Sequence, residues 1–74
     1  MSSLPVVSGA ETVRALERGA FHKAGQKGSH VKMRHADGRT AIVPMHSELA
    51  PGTLRSVLRQ AGLSVDEFRA LLGR

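Results

Sequence analysis

Residues 30–34 read His-Val-Lys-Met-Arg, a strict alternation of polar and apolar side chains. A strand has a side-chain period of two, so such a run places His30, Lys32 and Arg34 on one face and turns Val31 and Met33 toward a core. Gly28-Ser29 opens the run. Asp37-Gly38 closes it with a pair suited to a two-residue hairpin turn. A chain built around this segment is expected to contain a small antiparallel sheet with one dry face and one wet, basic face.

The flanking residues extend the pattern. Ser8-Gly9-Ala10-Glu11 is a capping box, in which the Ser8 hydroxyl and the Glu11 carboxylate satisfy each other's backbone amides. It starts a first helix, with Val13, Leu16 and Ala20 as its apolar stripe and Gly19 as a left-handed stop. Phe21 to Gln26 reads as a first strand, with Gln26-Lys27-Gly28 as a turn. His30 to His35 is the second strand. Thr40 to Val43 is the third, ended by Pro44, which cannot donate to a ladder. Met45 to Gly52 is a loop. A second helix from about Thr53 buries Leu54, Val57, Leu58 and Ala61, presents Arg55 and Arg59 elsewhere, and ends at Gly62. Ser64-Val65-Asp66-Glu67 is a second capping box, and Leu63 with Phe68 forms a hydrophobic staple. The last helix runs from Val65 to about Leu72. The order predicts one α+β domain over residues 1–74, α-β-β-β-α with a short C-terminal helix and a three-stranded antiparallel sheet. It is the order of the double-stranded-RNA-binding-domain fold.

Size and charge narrow the function. With 74 residues the chain buries a small core, so an enclosed nucleotide-cofactor pocket is not expected and function belongs on an open face. Eleven Lys and Arg against six Asp and Glu give a net charge of +5, which favours an anionic partner. There is no Trp or Tyr to make a stacking platform. There is no cysteine, and the four histidines show no metal-ligand spacing. No apolar run is long enough to span a membrane, and the N-terminus lacks the pattern of a signal peptide, so a cytoplasmic protein is expected.

On these grounds His30 is the candidate general acid–base group, because imidazole exchanges protons near neutral pH. Lys27, Lys32, Arg34 and Arg39 are candidate phosphate contacts around it. Gly28 and Ser29 would let an RNA backbone approach closely, and His46 is a loop candidate for RNA contact or proton transfer. His22 and His35 read as surface residues, with the core side as the alternative for His35. The six acids are scattered, so no Mg²⁺ site and no cofactor are expected. The chemistry that fits is metal-independent RNA cleavage, in which the RNA's own 2′-hydroxyl attacks the adjacent phosphorus. A non-catalytic double-stranded-RNA-binding module is the alternative. A protein-interaction domain for an acidic partner is a third reading.

Several pieces also match a known family in its order. They are Leu4-Pro5 with Val7-Ser8-Gly9, Gln26-Lys27-Gly28-Ser29-His30, Asp37-Gly38-Arg39, Val43-Pro44-Met45-His46, and the run from Pro51 to Ser64. The chain resembles the HicA toxins, also called YcfA-like, of HicA–HicB toxin–antitoxin systems. The resemblance implies an mRNA interferase with a double-stranded-RNA-binding-like fold. It also implies a single catalytic histidine at His30 and a HicB-like antitoxin that covers the site. The chain departs from the family pattern at Ala20, where a glycine usually precedes the strand-one Phe, and at Gly25, where the residue is often basic or bulky.

Overall fold

The computed structural model describes residues 3–73. Its elements are α1 (Gly9–Arg18), β1 (Phe21–Lys27), β2 (His30–His35), β3 (Thr40–Pro44), α2 (Pro51–Ala61) and α3 (Val65–Leu72). The strands form an antiparallel sheet in the order β1-β2-β3. The α+β order expected from the sequence is therefore borne out. Helix α1 packs across all three strands, α2 lies against β3, and α3 rests mainly on α1 rather than on the sheet.

The alternation in β2 does what its spacing predicts. Val31 and Met33 are buried, whereas His30, Lys32 and Arg34 are exposed. On the helix-covered side they join Phe21, Ala41 and Val43 from the sheet, Ala15 and Leu16 from α1, Leu54, Val57, Leu58 and Ala61 from α2, and Phe68 from α3. Both capping boxes form, at Ser8 with Glu11 and at Ser64 with Glu67. These interactions satisfy amides that a helix start leaves without partners.

The stripe of α1 differs from the expected one. Thr12, Ala15 and Leu16 face the core, Val13 is half-buried and Ala20 is exposed. Thr12 is buried because its hydroxyl donates to the Ser8 carbonyl at 2.9 Å. Gly19 is not the left-handed residue, since its φ is −89°. Ala20 takes that role at φ 69°. Space at 19 is tight, since a Cβ there would lie 2.9 Å from Leu71 Cδ1, the movable end of that side chain.

Both hairpin turns also differ from expectation. The first consists of Gly28-Ser29 alone, because Lys27 still pairs with His30. Gly28 adopts φ 59°, as suits glycine at the first position of a two-residue hairpin loop. The second has three loop residues, Ala36-Asp37-Gly38, closed by His35 N–H donating to the Arg39 carbonyl at 2.8 Å. A two-residue Asp-Gly turn of the expected kind needs positive φ at both residues, and only Gly38 has it. Helix α2 begins at Pro51, two residues early, since proline's fixed φ and missing N–H suit a first helical turn.

Strand β1 contains an irregularity between Lys23 and Gly25. Ala24 is the extra residue, so the alternation of faces changes phase there. Before it, Phe21 and Lys23 lie opposite His35 and Met33. After it, Gly25 and Lys27 lie opposite Lys32 and His30.

Candidate nucleic-acid interface on the open face of the sheet

Residues paired across a ladder project to the same face. Two rows therefore cross the open face side by side. One is Lys27–His30–Pro44, and the other is Gly25–Lys32–Ile42. Arg34 continues the basic line, between His22 and Thr40. Lys27 and Lys32 flank His30, one across the ladder and one two residues along. The phase change at Ala24 is what turns Lys27 to this side.

The face is cationic because of its composition. Lys27, Lys32 and Arg34 project to it, and the three strands hold no acidic residue. Lys27, His30, Lys32, Gly25, Gln26 and Ile42 line an open groove of about 530 Å³. His30 is exposed, and no other described residue engages its ring nitrogens. Both nitrogens are thus available to a bound molecule. The turn beside it is braced: the Gln26 amide donates to the Gly28 carbonyl at 3.1 Å, and Lys23 Nζ donates to Gln26 Oε1 at 2.7 Å.

His46 lies two residues beyond Pro44, the ladder partner of His30. Its side chain is exposed, and its carbonyl accepts from Gly9 N–H at 2.9 Å. Met45 N–H donates to the Ser29 carbonyl at 2.6 Å, tying this loop to the first hairpin. Ser29, His30 and His46 consequently share one end of the sheet. The helix side fixes the same end: a Cβ on Gly9 would run into the Pro44 carbonyl oxygen, so only glycine allows α1 to approach so closely.

Arg39 is not part of this cluster. It follows the second hairpin, at the far end of β2. Five residues of strand separate His30 from His35, or about 17 Å. Its guanidinium turns to the helix side, where Nη1 donates to the Ala61 carbonyl at 2.6 Å and Nε to Asp37 Oδ2 at 2.8 Å. It also lies 5.3 Å from the centroid of the Phe21 ring, a cation–π distance. The Arg39 amide, chiefly, and its guanidinium hold the Asp37 carboxyl below the usual range. His35 sits there too, half-buried and edge-on to Phe21 at 5.2 Å, so the core-side alternative is the correct one. Arg55 and Arg59 are exposed on α2, away from the groove.

Among the described residues, no group of three or more His, Asp or Glu is placed to hold a metal ion. No helix among them is long and apolar enough to cross a membrane. A family model described as HicA toxin of bacterial toxin-antitoxin matches residues 9–63, most of the chain. No curated protein shows a significant match.

Proposed function

The chain belongs to the HicA toxin family, the toxin half of bacterial toxin–antitoxin pairs, and from that premise we propose that it is a metal-independent endoribonuclease that cleaves mRNA with His30. The observation that carries this reading is the placement of an unengaged imidazole between two lysines on an acid-free, open sheet face. The 2′-hydroxyl of the RNA attacks the adjacent phosphorus, forming the O2′–P bond as the P–O5′ bond breaks. One proton leaves O2′ and one reaches O5′, giving a 2′,3′-cyclic phosphate and a free 5′-hydroxyl. His30 moves one of these protons. Lys27 and Lys32 balance the charge that builds on the phosphate oxygens, with Arg34 further along the strand. Gly28 and Ser29 leave the backbone room to approach, and His46 is the neighbouring group for the second proton. Arg39, which the sequence suggested as a phosphate contact, is held on the opposite side and serves the fold.

The antitoxin of the pair, HicB-like in this reading, covers the same basic face in the cytoplasm, drawn by complementary charge. The test is RNA incubated with pure wild-type protein and with His30→Ala, each with and without excess EDTA. Cleavage by the wild type in EDTA, and none by a folded His30→Ala, is the expected result. Intact RNA that is nonetheless bound would favour a non-catalytic RNA-binding module.

A further inference from the structure

We propose that the groove beside His30 seats one unpaired nucleobase, with Gly25 and Ile42 deciding which bases fit. The proposal rests on the reading of this face as an RNA-cleaving site. A grip on phosphate needs only cations. Yet the groove that Lys27 and Lys32 help to line is chiefly carbon. Two features of the Gly25–Lys32–Ile42 row produce this. No atom lies within 4 Å of where a Gly25 Cβ would stand, so the missing side chain leaves open space. Ile42 is 38% exposed, a large aliphatic group on the wet face between buried Ala41 and Val43.

Ile42 is also held in place. Its N–H donates to Gln60 Oε1 at 3.0 Å, and Gln60 Nε2 donates to Ser56 Oγ at 3.1 Å. The seat therefore has a fixed wall on β3 and an absent one on β1. Its volume of about 530 Å³ falls within the range of small-molecule sites. The two rows are two residues apart, about 7 Å along the strands, comparable with the reach from phosphate to base within a nucleotide. A phosphate at His30 and Lys27 thus brings a base over Gly25 and Ile42, with the lysines at the rim for its polar edge. A duplex keeps its bases stacked inside and offers proteins its phosphates and 2′-hydroxyls. An apolar seat has no use for a duplex and selects single-stranded RNA.

The test uses the His30→Ala protein, so that RNA stays intact, and three labelled probes: a mixed-sequence single strand, the same strand with abasic residues, and a blunt duplex. Gly25→Leu should fill the seat and weaken binding of the normal strand at least about tenfold, the scale of a methylene-sized misfit in an apolar pocket. It should leave the abasic strand and the duplex nearly unaffected. Ile42→Ser should act in the same direction, with circular dichroism unchanged for both variants. Equal binding of normal and abasic strands, or indifference to Gly25→Leu, would overturn the seat and leave the groove to a protein partner. Cleavage by the His30-bearing protein is scored separately. RNA left intact beside a clear Gly25→Leu binding effect refutes the cleavage reading alone. Cleavage that Gly25→Leu leaves unchanged in KM refutes the seat alone.

Discussion

Lys27 stands directly across the β1–β2 ladder from His30, and both line the open groove. The root of the lysine side chain is thus positioned by backbone pairing, not by a flexible loop. A phosphate bound between the two has a cation and a proton carrier on neighbouring strands.

Replacing His30 by Ala should lower RNA cleavage at least about 100-fold, the low end of what a positioned acid–base group contributes. The side chain is exposed, so its loss opens no core cavity, and thermal unfolding should stay close to wild type. Excess EDTA should leave wild-type cleavage unchanged. A folded His30→Ala protein that cuts normally would end the assignment.

The salt dependence of RNA binding should separate the cations into two groups. Lys27→Ala with Lys32→Ala should flatten the plot of log affinity against log salt by about 0.7 per lost phosphate contact on a single strand. Arg39→Ala should leave the slope alone. It should instead cost about 1 kcal/mol of stability for the lost bond to the Ala61 carbonyl, read by urea unfolding. A reduced slope for Arg39→Ala would move the interface to the other end of the sheet.

Gly9→Ala should destabilise the fold by about 1–3 kcal/mol, the usual cost of forcing atoms into a packed interior. Alanine is the better helix former, so propensity alone gives the opposite sign. Chemical denaturation of the two proteins decides between them.

Ala20→Gly should stabilise the fold by up to about 1 kcal/mol. A left-handed conformation costs an L-residue about 1–2 kcal/mol, and glycine returns part of that gain as unfolded-state entropy. The family pattern that places glycine before the strand-one Phe coincides with this position, φ 69° in the present chain. A lower melting temperature for the variant would contradict the strain.

Stability should fall in acid. The Arg39 amide and guanidinium lower the Asp37 carboxyl from 3.8, and the Ser64 amide lowers Glu67 from 4.5. A carboxyl depressed in the folded state stabilises it while ionised. That contribution is complete above the unfolded values and is lost as pH drops through the folded ones. Unfolding free energy should therefore decline below about pH 4.5, and less steeply in Asp37→Asn with Glu67→Gln. Parallel pH profiles for the double variant and wild type would show that these bonds carry no linkage.

Features written within a few residues were legible in the sequence. The Ser8 and Ser64 boxes, the faces of β2 and the buried stripe of α2 all depend on short spacings. So did the placing of His30, Lys32 and Arg34 together on the open face. The phase change in β1 was not legible, because after Phe21 that strand is His-Lys-Ala-Gly-Gln-Lys, with no apolar alternation to reveal it. Arg39 was misplaced for a different reason. Its partners, the Ala61 carbonyl and the Phe21 ring, are far away in the chain, so nothing next to it showed that its charge was already engaged. The Gln60 bond to Ile42 N–H is tertiary in the same sense.

The extra residue at Ala24 makes the chemistry of this face a matter of counting. Were the same β1 to pair with β2 without the bulge, Ala24 would stand opposite Lys32 and Gln26 opposite His30, turning Gln26 outward and Lys27 to the helix side. Such a pairing would keep every side chain implicated in the site. The lysine opposite His30 would nevertheless be gone, lost through the parity of the strand alone.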